Sequence, residues 1–299
     1  MNADRDEFAK LPNGIDICYR DEGSGEPIVL IIGLSFQLIH WPRELISALI
    51  AGGHRVITFD NRDSGRSSYV TGRGPNLREM IFRKAPKDAY TLDDMSDDML
   101  ALMDHMGIDR AHFVGMSLGG MIAQVTAVKA PERVLSLTSI FSTTGARRVG
   151  QPSFRVAWQM SKKAARDRDT FIEHRVTMSD LIGGKGFPAE PAARRKLISD
   201  AWERGGPTQY RGTARQLAAI FASGDRTREL KTIDAPTLVI HGDRDSLVHP
   251  SGGRATAAAI PNARHVTIEG MGHELPPAVA PRLAELILSH VKSCKAEQP

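Results

Sequence analysis

The ten residues AHFVGMSLGG, from Ala111 to Gly120, decide how the whole chain is read. Ala111 to Val114 form a short apolar run with strand character, and a helical pattern begins at about Leu118 and continues to Lys129. Between them Gly115 and Gly119 flank Ser117, one residue removed on each side. A turn this sharp would be blocked by Cβ atoms at the flanking positions, and it lifts the serine hydroxyl above the carboxyl end of the sheet. Two readings without a nucleophile compete with this one. A glycine-rich turn can simply join a strand to a helix, and a glycine-rich loop can bind phosphate. The phosphate reading is weak, because neither the lysine of a P-loop nor the spaced glycines of a dinucleotide site occur here. The strand before and the helix after favour Ser117 as a nucleophile.

Working outward, strands and helices alternate. Phe8 to Tyr19 holds Pro12-Asn13-Gly14 between two short extended runs, a hairpin signal because Asn-Gly supplies the positive φ angles of a tight turn. PIVLII, Pro27 to Ile32, is a β-branched run suited to a strand buried on both faces. A helix is expected over Glu44 to Ala51 and a strand over Arg55 to Phe59. Leu92 to Met106 places Met95, Met99, Leu102 and Met106 at helical spacing behind Asp93 and Asp94, which suit a helix N-terminus. After Lys129 the run Val134 to Ile140 reads as a strand, with Pro131 just past the preceding helix. The sheet resumes with PTLVI, Pro236 to Ile240, and His265 to Ile268, and a helix closes the chain over Pro281 to Val291. This rhythm predicts an α/β fold with a mostly parallel central sheet flanked by helices. Residues 142–231 carry helical patches and no clear buried strand. A structureless loop of that length is improbable. The expected organisation is therefore a core of residues 1–141 and 232–299 with a helical cap, 142–231, inserted in it.

A serine hydroxyl needs a general base, and the base needs an orienting group. Both lie in loops that follow later strands. PTLVI leads into His241-Gly242-Asp243-Arg244-Asp245, and the last strand leads into Glu269-Gly270-Met271-Gly272-His273. The chain order is serine, acid, histidine, and both loops leave the edge of the sheet where Ser117 lies. Among ten histidines, His249 is the rival base, and the glycine-flanked loop favours His273. Asp243 and Asp245 both fit the acid, the loser being expected to cap a turn. Donors for a developing oxyanion are expected from the backbone N–H of Leu118 and from the loop at Gly33-Leu34, with the Leu34 N–H preferred.

These segments, with Asp60-Asn61-Arg62-Asp63-Ser64-Gly65-Arg66-Ser67, Gly270-Met271-Gly272-His273-Glu274-Leu275-Pro276 and Trp41-Pro42, resemble the α/β-hydrolase superfamily. Within it the chain is most similar to bacterial esterases related to the aclacinomycin methylesterase type, over nearly the whole sheet domain and least across the cap. The resemblance implies Ser117 as nucleophile and His273 as base. It selects Asp245, at the fourth position of the GxxD turn, as the acid. Many relatives have His-Gly at the oxyanion loop where this chain has Ile32-Gly33-Leu34, so the hydrogen bonding of that loop must differ. Asp60 to Ser67 is expected to brace loops rather than touch substrate.

The implied activity is hydrolysis of small to medium carboxylic esters through an acyl-enzyme, with no metal or organic cofactor. Open alternatives on the same scaffold are a cofactor-free perhydrolase or haloperoxidase-like activity, a lactonase, and a carbon–carbon bond hydrolase. A slow-turnover ligand-binding receptor is the alternative of another class. Serine at 117 argues against the dehalogenase and epoxide-hydrolase branches, which place aspartate there. Phe154, Trp158, Met160, Phe171, Met178 and Trp202 supply apolar side chains to the cap, and Trp158, Phe171 and Met178 are the candidate pocket wall. Packing of cap helices accounts for such residues equally well. The basic stretch Lys162, Lys163, Arg166 and Arg168 reads as a solvated helix face.

The 299 residues suffice for one large domain, and 41% hydrophobic with 25% charged residues argues against disorder. A net charge of +4 without a basic arm gives no support to a nucleic-acid partner, and attraction to an anionic surface is left open. Cys18 and Cys294 belong to no CxxC pair and are expected as reduced thiols. A polar N-terminus and the lack of a long apolar run point to a cytoplasmic protein with no membrane insertion. Oligomeric state is not legible in the pattern.

Overall fold

A computed structural model of the chain describes residues 5–162 and 165–296. The N-terminal hairpin forms as expected, with β1 (Glu7–Lys10) and β2 (Asp16–Gly23) antiparallel and Lys10 opposite Asp16. It is followed by β3 (Glu26–Ile31), α1 (Arg43–Ala51) and β4 (His54–Phe59). Then come α2 (Leu77–Phe82), α3 (Leu92–His105), β5 (Ala111–Met116), α4 (Leu118–Lys129) and β6 (Val134–Ile140). Four helices, α5 (Phe154–Met160), α6 (Arg168–Ile182), α7 (Pro191–Gly205) and α8 (Gln209–Ser223), occupy the segment before β7 (Thr237–Gly242). The chain ends with α9 (Ser251–Ala259), β8 (Arg264–Ile268) and α10 (Ala280–Ala296). Helices α2 and α9 were not expected. The first is one turn held by an Asn76–Glu79 capping box, and the second, SGGRATAAA, has two glycines and a weak apolar pattern.

The strands form one eight-stranded sheet in the order β1-β2-β4-β3-β5-β6-β7-β8. β1 and β2 are antiparallel, and every pairing from β4 to β8 is parallel. Because side chains alternate along a strand, each central strand feeds two cores. Val29, Ile31, Ile57, Phe113 and Leu137 pack with α3 and α4 on one face. Ile28, Leu30, Val56, Val114, Ile140 and Ile240 pack with α1 and α10 on the other. Burial on both faces is why these runs read as continuously apolar. α4, the helix behind Ser117, is buried from Leu118 to Ala127.

The segment between β6 and β7 is tied to the core by arginines. From α7, Arg204 reaches Asp60 (2.7 Å) and Asp6, and from α8, Arg215 forms a two-point pair with Asp63 (2.5 and 2.9 Å). Arg62 makes a like pair with Asp98 of α3. The Asp60 to Ser67 stretch therefore braces loops, as its position after β4 suggested. Removing one partner of a buried ion pair leaves the other uncompensated, at a cost of about 3–5 kcal/mol. The Asp63 carboxylate is wholly buried and Arg215 nearly so. Arg215→Met is accordingly expected to lower unfolding free energy by about 3–5 kcal/mol in denaturant melts. Asp63→Asn in the same chain should restore part of the loss; a single-variant change below about 1 kcal/mol would show the pair to be dispensable.

Lys162 follows α5, Arg168 opens α6, and both are exposed together with Arg166, so the basic residues do not share one helix face; Lys163 lies outside the described residues. Cys18 and Cys294 are both buried, and burial next to Asp60 and Asp6 pushes the Cys18 thiol up to about 12. Among the described residues no helix is long and apolar enough to cross a membrane.

Candidate active site

β5 delivers Ser117 at the end of its run, and α4 starts on the next residue. Ser117 takes φ +53° and ψ −117°, a left-handed conformation that a non-glycine residue adopts at a cost of about 1–3 kcal/mol. The neighbours make that turn possible by having no side chains. A Cβ on Gly115 would stand 2.2 Å from the Gly119 carbonyl oxygen, and one on Gly119 would stand 1.9 Å from that of Ile31. The flanking glycines of the motif are thus explained by backbone approaching backbone.

Loops from three other strands converge on this serine. The Ser117 hydroxyl donates to His273 Nε2 at 2.9 Å, and His273 Nδ1–H donates to Asp245 Oδ2 at 2.6 Å. Asp245 is held in turn: its Oδ1 accepts the N–H groups of Leu247 (2.9 Å) and Val248 (2.8 Å). His241, at the end of β7, donates from Nε2 to the Val248 carbonyl at 2.8 Å and stands 3.2 Å from Asp245 Oδ2. Burial pushes the Asp245 carboxyl up, but the charge of His273 and the hydrogen bonds of His241 and His273 outweigh it and hold the group at about 2. Below its ordinary 3.8, that value keeps the carboxylate ionised at neutral pH. Its stabilising contribution is present above about pH 4 and is lost as pH falls through about 2. Positioning of His273 is completed by its own N–H, which donates to the Ile182 carbonyl in α6 at 2.6 Å, and by the Phe141 ring 4.4 Å away.

The rival residues are placed elsewhere. Asp243 Oδ1 accepts the Gly270 N–H at 2.6 Å, the turn-capping role expected of the acid outside the relay. His249 is bonded to Ser251 at 2.9 Å. Sequence reasoning missed His241, although it stands four residues before Asp245 in the motif that was quoted.

The loop after β3 lies directly beside the serine, since a Cβ on Gly33 would come within 3.3 Å of Ser117 Cβ. Leu118 N–H, the first amide of α4, has no partner available within the helix. The loop after β3 is secured by side chains from far along the chain. Asn61 Nδ2 donates to the Ile32 carbonyl (3.0 Å), Ser64 Oγ to the Phe36 carbonyl (2.5 Å), and Asp60 Oδ1 accepts the Leu38 N–H (2.6 Å). Ser35, at φ +60°, gives its N–H to Gln216 of α8 (2.9 Å), and its Oγ accepts from Arg175 of α6 (2.9 Å). The Arg175 guanidinium also lies 4.9 Å over the Phe36 ring and 5.8 Å from that of Phe171. Burial pulls its pKa down to about 10, opposed by the Glu274 carboxylate, so it remains a cation at neutral pH.

Arg175 therefore holds Ser35, the residue after Leu34, whose N–H is the expected oxyanion donor. Arg175→Met keeps the stem and removes the donor. Misplacing such a loop by a fraction of an ångström is expected to lower kcat about tenfold to a hundredfold, with KM nearly unchanged. A variant whose KM alone rose would assign Arg175 to substrate binding instead. Of the expected pocket wall, Phe171 stacks on Trp202 with centroids 5.2 Å apart next to Arg175, and Met178 is part-buried on α6. Trp158 is 65% exposed and Phe154 85%, so neither belongs to an enclosed wall here.

A strained serine between strand and helix, with acid and histidine on later strand ends of a parallel sheet, defines an α/β-hydrolase. The α/β-hydrolase fold family matches residues 26–276, and the chain belongs to it. Among curated proteins it is 32% identical to rhodomycin D methylesterase DnrP of Streptomyces peucetius, over 91% of this chain and 94% of that one. It is 28% identical to a non-heme haloperoxidase of Rhodococcus erythropolis, covering 96% and 99% of the two chains. Among solved structures, a hydrolase from Pseudomonas aeruginosa PA01 superposes with a TM-score of 0.69 at 25% identity, covering 98% of this chain and 99% of that one.

Proposed function

We propose that the protein is a serine carboxylic ester hydrolase acting on small to medium esters through an acyl-enzyme. The observation that carries this reading is the unbroken relay from Asp245 through His273 to Ser117 at 2.6 and 2.9 Å. His273 takes the serine proton as Oγ attacks the ester carbonyl, and Asp245 holds the imidazole in the tautomer that leaves Nε2 free to accept. The developing oxyanion rests on the N–H groups of Leu34 and Leu118. His273 then gives the proton to the leaving alkoxide, and the same residue activates the water that cleaves the acyl-enzyme. Residues 142–231 act as a cap that keeps bulk water from the site, with Phe171 and Met178 as its apolar wall. The methylesterase relatives make a methyl ester the first substrate to try.

Burst and steady-state kinetics on p-nitrophenyl esters of increasing acyl length test the reading. Turnover should be greatest at short or medium chains, with a burst of nitrophenol wherever deacylation is slow. No turnover at any length would refute the esterase reading, and a peak at long-chain triglycerides would refute the size preference. The haloperoxidase relative supports a side activity on the same acyl-enzyme, with hydrogen peroxide replacing water to release a peracid. Peracid formation that depends on Ser117 is its test.

A further inference from the structure

Seven large hydrophobic side chains stand exposed among the described residues, and six of them lie on two short helices. α2 presents Leu77 (78% exposed), Ile81 (68%) and Phe82 (52%), and α5 presents Phe154 (85%), Trp158 (65%) and Met160 (38%). No residue of α2 is fully buried, and Leu77, Ile81 and Phe82 are turned away from the core. Leu77 with Ile81, and Phe154 with Trp158, are four residues apart and share a helix face. The two helices are linked through Arg147, which donates to the Phe82 carbonyl at 3.0 Å seven residues before α5 begins.

The same stretches concentrate the positive charge of the chain. Residues 73–88 hold five Arg and Lys against Glu79 and Asp88, and residues 147–162 hold four against no acid. Their joint net charge is +7, whereas the whole chain carries +4. Arg78, Lys84, Arg148, Arg155 and Lys162 are exposed beside the apolar side chains.

We infer that α2 and α5 form a docking surface for an anionic lipid bilayer, entered peripherally by the six apolar side chains. A second copy of the chain fits poorly, because an isologous contact would set +7 against +7. An acidic protein would need a pocket for each protruding side chain, whereas the boundary of headgroups and acyl chains takes them without one. Aromatic and aliphatic tips below a rim of Lys and Arg have the distribution that interfacial binding uses. An ester partitioned into the bilayer would then reach the protein without crossing water, a consequence that rests on the esterase reading; the docking itself does not.

Vesicle flotation with the full chain tests the surface independently of any activity. Vesicles of phosphatidylcholine with phosphatidylglycerol should carry the protein, and vesicles of phosphatidylcholine alone should carry much less. High salt should release it, because surface charges are screened. Phe154→Ser with Trp158→Ser is expected to weaken partitioning about a hundredfold, and Ile81→Ser with Phe82→Ser likewise, at about tenfold per buried side chain. Arg148→Glu and Arg155→Glu should each weaken it about fivefold or more. These positions are exposed, so an unchanged melting temperature certifies the fold of each variant. Failure to float with the anionic vesicles, or equal flotation of the serine variants, would overturn the inference. So would a dimer in sedimentation that Phe154→Ser with Trp158→Ser disperses, or soluble poly-glutamate capture lost on those changes without flotation.

Discussion

Ser117→Ala is expected to lower kcat on a p-nitrophenyl ester about a million-fold while leaving the melting temperature close to that of the parent. Members of a nucleophilic relay act as a unit, so removing the attacking atom forfeits nearly all of what the relay contributes. The residual rate should still exceed that in water about 10³-fold, because the proposed Leu34 and Leu118 N–H donors are untouched by the change. Alanine fits the site without the hydroxyl, and the hydrogen bond lost is a single one, to His273 Nε2. KM should therefore change little. A variant that hydrolyses as fast as the parent would remove Ser117 from the chemistry altogether.

The second large effect concerns the acid. Asp245→Asn retains the shape but replaces a carboxylate that accepts four hydrogen-bond or close polar contacts, from Leu247, Val248, His241 and His273. An amide nitrogen facing His273 Nδ1 favours the tautomer with the proton on Nε2, where the serine proton should go. The expected loss in kcat is about 10⁴-fold. Asp243→Asn is the informative comparison, because Asp243 caps the Gly270 turn and does not reach His273. It should keep nearly the parental kcat. Equal losses in the two variants would mean that the loop as a whole, rather than the Asp245 carboxylate, sets activity.

Much of the frame was legible because it obeys local periodicities. The strand Val134–Ile140 and the helix Leu118–Lys129 lie where the pattern placed them, and β3, β4 and β7 within one or two positions. Runs buried on both faces, and helices with one long apolar face, announce themselves in any window of the chain. What escaped is long-range and polar. Arg175, Arg204, Arg215 and Gln216 lie in the part of the chain with the weakest pattern, yet they hold the loop beside Ser117 and the turn after β4. No periodicity marks an arginine that will meet an aspartate about 150 residues away. The same holds for His241: its role depends on the loop folding back so that Val248 and Asp245 both face its ring. Trp158 shows the converse. An aromatic in a helical segment suggests a wall or a core, and only the structure shows it turned to solvent.

The Ile32-Gly33-Leu34 loop and the residues after it are secured from outside, by Asn61 and Ser64 of the neighbouring turn and by Gln216 and Arg175 of α8 and α6. Two of these four side chains come from the segment proposed as the cap. Both of them hold Ser35, the residue after Leu34.

Attack of Ser117 on an acyl carbonyl is put to the sharpest test by covalent trapping. The protein is treated with a fluorophosphonate ester, digested, and the modified residue located by mass spectrometry. One adduct is expected, on Ser117, formed fast in the parent and at least about 10³-fold more slowly in His273→Ala, since the base must take the serine proton. An adduct on any other residue, or no adduct in a folded protein that hydrolyses esters, would contradict it.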